Sequence, residues 1–136
     1  MSPPSNAFLT EADLQAPETF LPLHAYVCAD CFLVQLPEVA RPDAIFKDDY
    51  AYFSSYSDTW LQHARAYAAY ARDRFRLGPR SQVIEVASND GYLLRFFAEM
   101  GIPTLGIEPS SNVAEAARAL GLETLVEFFG SALAGR

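Results

Sequence analysis

The stretch Gln82-Val-Ile-Glu-Val-Ala-Ser-Asn-Asp-Gly-Tyr-Leu-Leu94 decides how this chain is read. Val83, Ile84, Val86 and Ala87 form a short apolar run of the kind that makes a strand buried on both faces. Ser88, Asn89 and Asp90 then lead to Gly91, and a helical apolar pattern follows at Tyr92, Leu93, Phe96 and Phe97. A strand, a small polar turn, a Gly and a helix together deliver backbone N–H groups to a ligand in α/β folds.

Downstream the pattern continues as β-α-β-α-β. The first helix is predicted over about Gly91 to Met100, closed by Gly101, and Thr104–Glu108 reads as the next strand, stopped by Pro109. Ser110 or Ser111 caps a second helix, Val113 to Leu120, closed by Gly121, and Leu122–Val126 makes a third strand. Three parallel strands of this kind form the first mononucleotide half of a doubly wound, Rossmann-like sheet.

Upstream, a helix is expected from Ser57 or Asp58 to about Phe75, ended by Gly78-Pro79. Trp60, Ala64, Tyr67, Ala71 and Phe75 recur at helical spacing and predict a core stripe packed on the sheet. Before it, Tyr50 to Ser57 is dense in tyrosine and serine. It reads either as a packed aromatic connector or as a lid over a ligand, because Tyr combines an apolar face with a polar tip.

The first 45 residues are of another character. A short helix is expected from Thr10, with Thr10 as cap, Asp13 at the third position and Leu14 turned inward. Leu23, Ala25 and Val27 alternate into Cys28, and Phe32–Leu36 follows Cys31, giving a hairpin with Cys28-Ala-Asp-Cys31 at its turn. A redox dithiol belongs at a helix start, whereas β-favouring flanks suit a zinc knuckle, so Cys28 and Cys31 are assigned as metal ligands. His24 is a candidate third ligand, and two plain buried thiols are the alternative. The chain thus divides into a partial zinc-binding module (1–45), a Tyr/Ser-rich segment with its connecting helix (46–79), and the N-terminal half of a Rossmann-like domain (80–136).

Bulk properties exclude several classes. A net charge of −7 argues against a nucleic-acid surface. No apolar run approaches the roughly 20 residues of a membrane span. The first residues lack the basic and apolar regions of a signal peptide, so the expected compartment is the cytoplasm.

The strand tips carry the chemistry. Asp90 closes the first turn and Glu108 ends the second strand, near the spacing of about 20 residues at which an acidic group meets ribose hydroxyls. The dinucleotide fingerprint is absent, and Asp90 would put negative charge against a pyrophosphate. A cationic, phosphate-free adenosine ligand suits this turn better, and S-adenosylmethionine has that character. NAD and an α/β domain without cofactor remain the alternatives.

Taken in order, Cys31-Phe-Leu-Val-Gln-Leu36, Asp49-Tyr-Ala-Tyr-Phe-Ser-Ser55, Val83 to Leu94, Gly106-Ile-Glu-Pro-Ser110 and Phe128-Phe-Gly130 resemble the zinc-containing class I methyltransferases typified by deoxysugar C-methyltransferases. The resemblance runs from Pro4 onward. It implies that Glu85, Ala87, Asn89, Asp90 and Gly91 line an S-adenosylmethionine site, that Glu108 holds the ribose, and that Pro109 and Ser110 shape the adenosine pocket. It implies that Tyr50 to Ser57 closes over the cofactor, with Tyr52 and Tyr56 as candidate catalytic residues beside a nucleotide-linked keto-sugar. In that family the sugar is deprotonated next to its carbonyl and the carbanion takes the methyl group. Relatives carry a first Cys-x-x-Cys upstream of Pro3-Pro-Ser-Asn6 and a Glu-His pair beyond Phe-Phe-Gly. The chain is therefore expected to be an N-terminal fragment, inactive alone, that needs a complementing chain or a second copy at an unpaired sheet edge. A non-catalytic zinc-knuckle interaction module is the competing reading.

Overall fold

A computed structural model describes residues 1–4, 8–46 and 48–136. Ser5, Asn6 and Lys47, which the readings above include, lie outside the described residues. The chain divides into two compact units, Met1–Phe46 and Lys47–Arg136.

In the first unit, β1 (Tyr26–Val27) pairs antiparallel with β2 (Val34–Gln35), with Tyr26 opposite Gln35 and Val27 opposite Val34. The hairpin is as expected but far shorter than the apolar alternation from Leu23 suggests. The physical reason is burial: among the described residues of this unit no hydrophobic side chain is buried, so Leu23 has no core to turn into. Thr10 and Asp13 cap one another reciprocally, Thr10 N donating to Asp13 Oδ2 at 2.8 Å and Asp13 N to Thr10 Oγ1 at 3.3 Å. They open only a 3-10 turn, Asp13–Gln15, and Leu14 faces outward rather than inward. Pro42–Ile45 forms the short helix α1.

The second unit is mixed α/β. Ser57 caps α2 (Asp58–Phe75), its Oγ accepting from Trp60 N at 3.3 Å. The helix ends at Arg76, which takes the left-handed conformation (φ 55°), two residues before Gly78. The core stripe differs from expectation: Ala64, Ala68 and Ala71 are the buried residues of α2, with Leu61 beside them, while Trp60, Tyr67 and Phe75 face outward. Small alanines let α2 approach α3 (Leu94–Glu99) closely, and Phe96, Phe97 and Ile102 fill the space between. The helix therefore packs chiefly on α3, with Val83 as the sheet's contribution.

Three parallel strands follow in the order β3 (Val83–Val86), β4 (Thr104–Ile107), β5 (Thr124–Leu125). Val83 pairs with Thr104 and Glu85 with Gly106, while Gly106 pairs with Thr124. Helix α4 (Ser111–Ala119) connects β4 to β5, and a last short helix, α5, spans Ser131–Ala134. Strand β3 is not buried on both faces: Ile84 is 55% and Val86 50% exposed, since the described helices cover only the Val83 face. Ala87 lies outside the strand, at φ 59°.

Gly91 is the tightest point of the unit. Its φ is +76°, and a Cβ there would sit 2.2 Å from Leu122 Cδ1, within the buried cluster of Leu94, Ala117 and Leu122. Gly91→Ala is expected to destabilise the fold by about 2–4 kcal/mol, combining overpacking with left-handed backbone strain. Gly78→Ala, where a Cβ meets nothing within 4 Å, should change stability little. Urea unfolding of the two variants checks this, and an equal effect would contradict the packing at Gly91.

Candidate functional site

The carboxylate of Glu108 joins the two strand-tip turns. Its Oε2 accepts the Asn89 N–H at 3.0 Å and its Oε1 accepts the Ser110 N–H at 2.9 Å. Both bonds are charge-assisted and buried. Each oxygen keeps a second lone pair, which is what a ribose hydroxyl would use.

The turn after β3 is sharply folded. Ala87 (φ 59°), Asn89 (φ 50°) and Gly91 (φ 76°) alternate in the left-handed region. Gly106 lies under this turn, because a Cβ there would meet Ser88 Oγ at 2.5 Å. Two close backbone approaches thus depend on Gly91 and Gly106.

The Tyr/Ser segment lies across both turns as a strap. Asn89 Oδ1 accepts Ser54 N–H at 2.7 Å, and Asn89 Nδ2 donates to Tyr52 O at 3.2 Å. Asp90 Oδ2 accepts Ser55 N–H at 3.1 Å, and Arg95 donates to Ser55 Oγ at 2.6 Å. At the second turn, Asn112 Nδ2 donates to Tyr50 O at 2.9 Å and Ser111 Oγ to Asp48 Oδ1 at 2.8 Å. Side chains of the turns therefore hold the strap mostly by its backbone, leaving the Tyr52 and Tyr56 rings outward. Tyr52 is half exposed, and Tyr56 is 82% exposed and stacked on Phe53 at 5.3 Å.

Among the described residues, several buried polar atoms near the strand tips have no partner: Glu85 Oε2, Ser88 Oγ, Asp90 Oδ1, Ser110 Oγ and Asn112 Oδ1. Burial pushes the Glu85 carboxyl from its ordinary 4.5 up to about 7; the Tyr92 phenol draws it back, and the Asp90 charge adds to the rise. Burial, followed by the Glu85 charge, pushes Tyr92 up to about 12. Tyr92 in turn stacks on Trp60 at 5.9 Å. Of the cofactor residues named from sequence, Glu85, Asn89, Asp90, Gly91, Glu108 and Ser110 thus share this region, with Pro109 between two of them and Ala87 supplying backbone curvature. Sequence reading missed Ser88, Tyr92, Arg95 and Asn112. Only Tyr92, next to the turn glycine, carried a local signal.

An open groove of about 350 Å³ lies elsewhere, between α2 and α3, lined by Asp58, Leu61, Arg65, Arg95, Phe96 and Glu99. The exposed Arg65–Glu99 ion pair lies across it at 2.9 Å. It contains none of the unpartnered atoms and reads as a surface groove.

In the first unit the Cys28 thiol is held below its usual range, by the backbone N–H groups of Cys31 and Asp30 and then by the Cys31 thiol. The chain reverses there, with Cys28 N donating to Leu33 O and Phe32 N to Cys28 O, both at 3.0 Å, and Phe32 at φ 60°. Amides directed at a cysteine sulfur favour the thiolate, the form that binds metal. The two thiols therefore fit one side of a zinc site. His24 stacks on Tyr26 at 4.6 Å, and among the described residues no group of three or more His, Cys, Asp or Glu is gathered around a metal position.

A carboxyl that binds its proton more tightly folded than unfolded contributes stability that is complete below about pH 4.5 and is lost as pH rises through about 7. Wild-type stability should therefore fall by about 3 kcal/mol relative to Glu85→Gln between acid and mildly alkaline pH. Urea unfolding across that range measures the difference, and parallel pH profiles would show that the carboxyl is solvated.

Among the described residues no helix is long and apolar enough to cross a membrane. Residues 1–46 match a family described as "Putative zinc binding domain". The chain is 32% identical over 124 residues, 91% of its length, to the C-methyltransferase NovU of Streptomyces niveus. It spans 29% of the length of that relative. The chain is thus similar over most of its length to a C-methyltransferase, and its first unit matches the family described as a putative zinc binding domain.

Proposed function

We propose that this chain forms the zinc knuckle and the adenosine-binding half-sheet of an S-adenosylmethionine-dependent C-methyltransferase that acts on a nucleotide-linked keto-deoxysugar or a similar small molecule. The observation that carries the reading is the pair of turns held by Glu108, acidic and free of a phosphate-binding glycine run, with unpartnered carboxyl oxygens on Glu85 and Asp90. A pyrophosphate would be repelled there, whereas a cationic amino-acid moiety would be attracted.

In this reading β3-β4-β5 is the first half of a Rossmann-like sheet. Glu108 accepts ribose hydroxyls with its remaining lone pairs, Pro109 and Ser110 border the adenine, and Asp90 with Glu85 faces the cationic end. The strap from Tyr50 to Ser57 excludes water from that end and turns Tyr52 and Tyr56 toward the acceptor. The cofactor, when bound, supplies an activated methyl group. These residues bind, orient and desolvate it. Cys28 and Cys31 give zinc two thiolates, and further ligands complete its shell.

A second reading has its own observation. Ile84 and Val86 expose an apolar face on β3, which among the described residues stands at the edge of the sheet with one side of its ladder unpaired. A complementing chain or a second copy would cover it, and light scattering of the isolated chain separates monomer from dimer.

The cofactor reading is tested by calorimetric titration. S-adenosylhomocysteine is expected to bind at micromolar strength and NAD not to bind. Glu108→Gln should weaken binding by about tenfold or more, the loss of roughly one charge-assisted hydrogen bond. Equal affinity for NAD, or an unchanged affinity in the variant, would contradict the ribose assignment.

A further inference from the structure

The carboxyls at the strand tips are shut away from solvent: Asp90 and Glu108 are each 4% exposed. Asp90 holds the strap with Oδ2, and its buried Oδ1 has no partner. A ligand therefore reaches Asp90 only if the strap bonded to it moves, and what fastens the strap bears on how a ligand enters and leaves. Ser55 is gripped from two sides. Its N–H donates to Asp90 Oδ2 at 3.1 Å, and its Oγ accepts from Arg95 Nη2 at 2.6 Å. The bonds from Asn89 and Asn112 meet strap backbone, whereas Arg95 meets a strap side chain. Arg95 is itself fixed: its backbone N–H and its Nε both donate to Gly91 O, at 3.1 and 3.3 Å, where Leu122 leaves no room for a Cβ. A guanidinium suits the position, because its planar fork serves a carbonyl with one nitrogen and a hydroxyl with another. Arg95 also lines the open groove beside Phe96 and Glu99, which contains none of the unpartnered atoms.

We propose that Arg95 is a positioning residue for the cofactor site: through Ser55 it latches the strap over the Asp90 turn and so sets how fast a ligand enters and leaves. The proposal rests on the S-adenosylmethionine reading above and adds to it a residue that acts through the strap rather than on the ligand. The Arg95–Ser55 bond is charge-assisted and part-buried, which makes it a strong fastening for one side chain to supply. It contains no ligand atom. It therefore stabilises the seated strap to the same extent whether or not a ligand lies beneath. Removing it raises the open population in both states, so entry and exit quicken together and the equilibrium affinity stays nearly constant. A residue that merely supports the fold would act differently, lowering affinity without speeding association.

The test has two parts, both on the full chain. Amide hydrogen exchange reads the latch itself. In Arg95→Gln and in Ser55→Ala, the Ser54 and Ser55 N–H groups should exchange about tenfold faster, the loss of one charge-assisted hydrogen bond. The Glu108 N–H, which donates to Leu125 O at 2.9 Å within the sheet, should keep its rate and so report an intact fold. Stopped-flow mixing with S-adenosylhomocysteine, followed by the fluorescence of Trp60, the chain's one tryptophan, reads the consequence. Association and dissociation rates should both rise about tenfold in either variant, with affinity changing less than about threefold, and the double variant should do no more than either single one. Unchanged exchange at Ser54 and Ser55 in both variants overturns the latch, whether or not a ligand binds. Weakened affinity without faster association, or additive effects in the double variant, overturns the positioning role and leaves the cofactor reading intact. No binding by the unsubstituted chain overturns the cofactor reading and the role assigned to the latch, while the exchange rates still decide whether Arg95 holds the strap.

Discussion

The buried carboxylate of Glu108 is the constraint on which the second unit depends. By accepting N–H groups from Asn89 and Ser110, it fixes the turn after β3 against the turn after β4. Register alone would bring the ends of these strands together, since Val86 pairs with Ile107. Register would not, however, fix the backbone curvature that points Asn89 and Asp90 at the strap. The left-handed residues Ala87 and Asn89 pay an intrinsic conformational penalty, and the Glu108 bonds offset it. The proposed ribose contact and the tie that joins the turns thus fall on one side chain.

The strap adds a second level of order. Its bonds to Asn89, Asp90 and Asn112 are made mostly through backbone groups, so its path is set while the Tyr52 and Tyr56 rings stay exposed. Buried polar groups are usually satisfied, and the unpartnered oxygens of Glu85, Ser88, Asp90 and Ser110 are exceptions gathered at one end of a sheet. Such a concentration is expected where a polar ligand supplies the missing partners. The first unit shows the same logic in smaller form: its described residues bury no apolar core, and its amides favour a thiolate at Cys28. Metal binding would then take over the role that burial plays in the second unit.

Much of this was legible in the sequence, and the rest was hidden for identifiable reasons. The order of strands and helices followed from apolar runs, glycine stops and serine caps, each a local signal. The buried face of α2 was misread because Ala64 and Ala71 fit two overlapping stripes. The large aromatics drew the choice toward Trp60 and Tyr67, whereas close helix packing selects the alanines and Leu61. Ile84 and Val86 looked doubly buried because β-branched residues mark a strand without saying which faces are covered. At the site, Asp90, Gly91 and Glu108 stood out by type and spacing. Ser88, Arg95 and Asn112 did not, because their roles come from contacts with Gly106, Ser55 and Tyr50, which no local pattern reports.

The most direct test of the account is amide NMR of the full chain during addition of S-adenosylhomocysteine. The expected result is a set of shifts centred on Asn89, Asp90, Gly91 and Ser110, continuing into Ser54 and Ser55 of the strap. Shifts confined to the groove between α2 and α3, or no shifts at any ligand concentration, would contradict a cofactor site organised by Glu108.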